Sequence, residues 1–167
     1  MEAVLSLEFI KNALDEFYSG DMSYFLEQYG YVEEILNRTP KYSAIDAATA
    51  AELANLCLAA SITCTELIHD ISRQVGELDV RVKAEEANAM SRCTEKRSAV
   101  QKYAAQNDKK LIDVQLKASA AKSFLDLLKR KYQILICQHY NCKSVAQETH
   151  SIHLGSRSGP TGAEDYL

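Results

Sequence analysis

The segment Phe124–Ile136, FLDLLKRKYQILI, sets three consecutive cations, Lys129, Arg130 and Lys131, inside an apolar run. Such a triplet is either a place where phosphates sit or the solvated stripe of an amphipathic helix. On a helix, Lys122, Asp126 and Arg130 fall at i, i+4 and i+8, and so do Lys109, Asp113 and Lys117. Each aspartate can then bridge two cations, which is the pattern of a plain solvated face. Each triplet nonetheless keeps one positive charge in surplus. Lys129 has no acid at i±4, and Lys131 has none at i±3 or i±4.

Upstream, Arg92, Lys96, Arg97, Lys102, Lys109 and Lys110 cluster around an expected chain reversal near Gln106-Asn107-Asp108. Two helix ends meeting there would present several cations to one phosphate chain, with release of counterions on binding. Tyr103 stands among these cations and is placed to stack on an unpaired base; its alternative is a partly buried helix tyrosine. The predicted nucleic-acid contacts are Arg92, Lys96, Arg97, Lys102, Tyr103, Lys109, Lys110, Lys129 and Lys131. The competing reading makes the basic region a solvated face or a subunit interface.

Other reactive residues give weaker signals. Cys137-x-His139-x-x-Cys142, followed by His150-x-x-His153, has ligand-type residues. A zinc centre needs four that converge on a tetrahedron, and here His139 and Cys142 share a helix face while Cys137 points elsewhere. Cys137, Cys57 and Cys64 read as packing residues, and His69 as a surface or interface histidine. Glu85 and Glu86 are adjacent and point to different helix faces, so they make poor acid–base partners. No glycine-rich phosphate loop, nucleophile elbow or Cys-His signature is present. The chain is expected to be no enzyme, with no metal and no cofactor.

The elements that position these residues follow from spacing. The 167 residues suit one domain. Only 2 prolines and 6 glycines are present, and Gly76 is the one glycine between Pro40 and Gly155. Sheets need turns every few residues, and this scarcity of punctuation argues for long helices. Apolar spacing predicts a helix from Glu2 to about Tyr18, with two stripes (Leu5, Phe9, Ala13, Phe17 and Leu7, Ile10, Leu14), and another from Met22 to Asn37. Asp21 is its N-cap candidate. After Thr39-Pro40, Ser43-x-x-Asp46 resembles a capping box. From there Leu53, Cys57, Ala60, Cys64, Leu67, Ile71, Val75, Leu78 and Val82 repeat at steps of four and three, predicting one long arm to the reversal at 106–108. Asn107 or Asp108 caps the last helix, which runs to about Ala146 on Val114, Ala118, Ala121, Phe124, Leu128, Tyr132 and Leu135.

The expected architecture is therefore all-α: a helical domain over 1–147, made of an N-terminal helical pair (1–40) and a long, antiparallel, coiled-coil-like hairpin (43–147). A disordered tail is expected over 148–167. Residues 1–94 carry 7 basic and 16 acidic residues, a net −9, whereas residues 95–143 carry 11 and 4, a net +7. One end of such a molecule suits a polyanion, or the two halves pair within or between subunits. Charges at Glu2, Glu8 and Lys11 speak against a signal peptide. No run is expected to reach the roughly 18 apolar residues of a membrane span, and five irregularly spaced cysteines suit a reduced, cytoplasmic protein.

The stretch QNDKKLIDVQLKASAAKSFLDLLKRKYQILICQHYNCKSVAQ resembles the carboxy-terminal half of UvsY-type phage recombination mediators. The likeness covers roughly residues 60–146 and includes the closing Lys143-Ser144 step. It implies an all-helical homo-oligomer that binds single-stranded DNA and helps load a RecA-like recombinase onto strands covered by a single-strand-binding protein. A mid-chain Lys-Ala-Arg motif contributes to DNA binding in that family. Its nearest equivalent here is Lys83-Ala84-Glu85, where glutamate replaces arginine, which leaves the cations around the reversal as the better candidates. The reading from another class is an oligomeric helical adaptor, scaffold or inhibitor that binds proteins alone.

Overall fold

A computed structural model describes residues 7–38, 45–93 and 98–157, and among these the fold is all-α, with no strand. Five helices follow in order: α1 (Leu7–Asp15), α2 (Met22–Arg38), α3 (Ala47–Arg92), α4 (Ser98–Gln106) and α5 (Lys109–Arg157).

Aspartates open three of them. The Asp21 carboxylate accepts the Tyr24 N–H at 3.1 Å at the start of α2. Asp46 has extended N-cap angles and accepts both the Thr49 N–H (2.9 Å) and the Thr49 hydroxyl (2.8 Å). Asp108 accepts the Lys110 and Leu111 N–H groups at 3.0 and 3.3 Å. Each satisfies backbone donors that the first turn leaves without an intrahelical acceptor. Ser43 lies outside the described residues. Gly76 does not interrupt α3, which is helical on both sides of it.

The frame is α3 against α5. His139 meets the Ala54 carbonyl, Cys57 meets Gln138, Cys64 meets the Leu128 carbonyl and Asp79 meets Lys122, so the two helices run in opposite directions. Buried positions recur every seven residues, at Ala50, Cys57, Cys64, Ile71 and Leu78 on α3 and at Ala121, Leu128, Leu135 and Cys142 on α5. That spacing keeps one stripe of each helix on the other. Alanines and cysteines in the first half of α3 allow close approach; the Cys64 Sγ lies 3.4 Å from the Leu128 carbonyl oxygen.

The N-terminal helices cover one flank of this pair. Ile10, Leu14, Phe17, Phe25 and Tyr29 join Leu67, Ile71, Phe124 and Leu128 in one cluster. Phe124 is its hub, with ring centroids 6.4 Å from Phe17, 5.9 Å from Phe25 and 6.1 Å from Tyr29. Of the two predicted stripes, Ile10 and Leu14 of one are buried, whereas in the other Phe9 is 57% exposed and Phe17, beyond the end of α1 at Asp15, is buried. Val32 and Ile35 of α2 pack on Cys57, Ala60, Cys64 and Leu135 in a second cluster.

Three expectations change. The first arm does not continue to 106: α3 ends at Arg92, Cys93 takes extended angles, and α4 follows as a separate helix. Beyond Leu78 only Ala89 of α3 is buried, so little core holds a longer helix together. The last helix does not stop near 146, and the expected tail does not begin at 148, because α5 continues to Arg157. No proline occurs between Pro40 and Pro160, so nothing in the sequence stops the helix at Glu148; residues 158–167 lie outside the described residues. Finally, α3 contains an 18-residue window long and apolar enough, by length and composition, to cross a bilayer, and 39% of that window is buried in the fold.

Candidate nucleic-acid interface

A small apolar cluster builds the bend. Ala89 of α3, Ala105 of α4 and Leu111 of α5 are buried together, with Val82 and Met90 packed against them. Alanine at two of the three positions lets α4 lie close across the two helix ends. On its outer side α4 presents Lys102 and Tyr103, the latter 71% exposed, and the first turn of α5 presents Lys109 and Lys110. Among the described residues, Lys102, Lys109 and Lys110 form no ion pair. Lys96 and Arg97 lie outside the described residues.

Arg92 is placed differently from the expectation. Its Nη2 lies 2.6 Å from Glu85 Oε1 and 2.8 Å from Asp108 Oδ2, and its Nε donates to Asp108 Oδ2 at 3.1 Å. Hydrogen bonds from this guanidinium hold both carboxyls below the usual carboxylate range. Phosphate contact by Arg92 would compete with three charge-assisted hydrogen bonds to two carboxylates.

Lys131 is not part of the bend at all. Its Nζ lies 2.6 Å from Glu33 Oε1 on α2, and the two side chains are only 15% and 22% exposed. The same ammonium stands 5.6 Å from the Tyr29 ring centroid, within cation–π range. Burial, with the Glu33 carboxylate adding to it, raises the Tyr29 phenol well above its ordinary value. Lys131 is thus an interhelical contact, and its missing local counter-ion is supplied by another helix. Lys129 has an exposed partner in Asp126 at 4.0 Å.

The expected carboxylate bridges are rearranged too. Asp113 pairs with Lys117 at 2.8 Å. Lys122 turns away from Asp126 and reaches Asp79 on α3 at 2.8 Å. Arg130 has no ion-pair partner among the described residues and lines a shallow groove with Gln133, Ile134, Cys137 and Gln138.

The Cys/His residues are mostly committed to packing. His139 Nδ1 lies 2.8 Å from the Ala54 carbonyl oxygen, which makes it a donor there. Cys142 is fully buried beside Leu53 and Ala54. Burial raises its thiol and pushes that of Cys64 up to about 11. Cys137 is exposed rather than core. Among the described residues no three His, Cys, Asp or Glu side chains converge in a way that would hold a metal ion.

Charge is distributed by element. Residues 7–38, which span α1 and α2, carry 2 basic and 7 acidic residues, and α5 carries 9 and 3. Of the partners that sequence reasoning missed, Glu33 reaches a cation of another helix and Asp108 one across the bend, while Glu85 meets Arg92 two turns along the same helix. No protein-family model, curated protein or solved structure matches the chain.

Proposed function

We propose that the protein binds single-stranded nucleic acid through the bend, without catalysis. The observation that carries this reading is the group formed by Lys102, Lys109 and Lys110, exposed and without carboxylate partners among the described residues, beside the exposed ring of Tyr103. The cations neutralise phosphates irrespective of sequence, and the ring offers a stacking surface to any base. Lys96 and Arg97, neighbours in sequence, extend the same set. Arg92 and Lys131 drop out of it because both already hold carboxylates, and Lys129 is remote from the bend.

In its finer form the reading makes the chain a recombination mediator, its α3–α5 pair a coiled-coil-like hairpin, and its working state a cytoplasmic homo-oligomer. The DNA strand, a RecA-like recombinase and a single-strand-binding protein are then its partners. The resemblance of residues 60–146 to UvsY-type mediators supports this form. Exposed Leu58 and Ile62, one turn apart on the outer face of α3, support self-association, since apolar side chains on that face gain from a partner that covers them.

Titration of a labelled oligo(dT) at several salt concentrations tests the function. Three to five phosphate contacts give a slope of log K against log salt of about −2 to −3.5, at ~0.7 per contact on single strands. Absence of binding at low salt removes this reading in favour of the protein-only adaptor, whose support is the same set of exposed apolar residues.

A further inference from the structure

Arg92 closes the α3 end of the bend in a way the phosphate contacts do not need. Its guanidinium binds Glu85 seven residues earlier on the same helix and Asp108 at the start of α5. Asp108 works with both oxygens. Oδ2 takes the guanidinium, while Oδ1 takes the N–H groups of Lys110 and Leu111. One carboxylate therefore ties the last turn of α3 to the first turn of α5. A planar fork with several donors suits this two-sided grip better than an ammonium would.

We infer that Arg92 is a positioning residue: through Asp108 it sets the direction in which the first turn of α5 presents Lys109 and Lys110. For its effect on affinity this rests on the proposed nucleic-acid contact; the tie between the helices does not. The charges favour positioning over direct contact. Arg92, Glu85 and Asp108 together carry a net −1, so a phosphate chain is repelled from that point and runs on the lysine side of the bend.

Asp108→Asn separates the two roles. Asparagine caps a helix about as well as aspartate, so the cap survives while the ion pair is lost and one negative charge leaves the bend. If charge alone mattered, D108N would bind oligo(dT) more tightly than the wild type. Positioning predicts weaker binding, about threefold at fixed salt, the size of one exposed ion pair. R92Q shows the same loss with an unchanged salt slope, whereas K110Q lowers the slope by ~0.7. Tighter or equal binding by D108N, or an R92Q slope lowered as far as that of K110Q, overturns the inference. Should wild-type protein bind no oligonucleotide, the functional proposal fails instead. Amide exchange then decides the tie: Lys110 and Leu111 exchange faster in R92Q, and unchanged exchange refutes it.

Discussion

Lys131 Nζ and Glu33 Oε1 are 2.6 Å apart, in a pair that fastens α5 to α2 over the Tyr29 ring. Both side chains are largely withdrawn from water, so losing one partner strands the other. K131M keeps the apolar stem but leaves the Glu33 carboxylate uncompensated, and it costs about 2 kcal/mol of stability by urea unfolding. The double variant K131M/E33Q recovers more than half of that loss. Oligonucleotide affinity of K131M stays within about twofold of wild type, well short of the tenfold that 1.4 kcal/mol represents. A large loss of affinity would restore Lys131 as a phosphate contact.

Tyr18 and Gly20 act as one latch. The Tyr18 hydroxyl donates to Asp70 on α3, and the neighbouring Ser19 hydroxyl donates to Gln74 at 3.0 Å. Burial alone would raise the Asp70 carboxyl; the Tyr18 and Arg73 hydrogen bonds outweigh it and hold Asp70 below the usual range. A Cβ on Gly20 would stand 2.6 Å from Tyr18 Cζ, so alanine there drives the ring off Asp70. Y18F and G20A each cost about 1 kcal/mol, the worth of a hydrogen bond to a charged group at a half-exposed site. Because both remove the same bond, G20A/Y18F costs clearly less than the sum of the two. Additive losses in a double-mutant cycle would show that Gly20 acts through its backbone instead.

Most of the fold was legible because its signals are local. Helical spacing located α1, α2, α3 and α5, and Asp21 and Asp108 announced their caps; Asp46, read as the closing residue of a box begun by Ser43, is itself the cap of α3. What was not legible depends on how helices are rotated against one another. Lys131 looks free along its own helix and finds its counter-ion on α2 only after the seam has set the rotation. Lys122 prefers Asp79 across the seam to Asp126 one turn along. The end of α3 was missed for a different reason: the polar stretch after Val82 keeps good helix propensity, and what ends the helix is lack of core rather than a breaker residue.

Acid loosens the bend, and the direction follows from linkage. Glu85 and Asp108 are held below ordinary carboxylate values by Arg92. A group depressed in the folded state contributes stability that is complete above its unfolded pKa, about 4, and is lost as pH falls through its folded value. The Arg92 tie is therefore constant from about pH 9 to about pH 5 and opens below about pH 4. Carboxyl-carbon NMR titration reads this directly: the Asp108 midpoint moves up toward the ordinary value in R92Q. A midpoint unaffected by R92Q would mean that the capping N–H groups alone lower it.

Lys109, Lys110 and Tyr103 divide the proposed interface into two kinds of force. Removing the two charges in K109Q/K110Q lowers the salt slope by about 1.4, at ~0.7 for each phosphate no longer neutralised. The affinity deficit shrinks as salt rises, because each counterion released into a more concentrated solution gains less entropy. Y103A behaves in the opposite way: stacking is worth ~1–3 kcal/mol per base, so affinity falls at least about fivefold while the slope is unchanged. Y103F retains the wild-type affinity, since the ring rather than the hydroxyl meets the base. Fluorescence anisotropy with oligo(dT) measures all three variants in one series. If Y103A binds like the wild type, the exposed ring is no base platform, and the interaction is electrostatic alone.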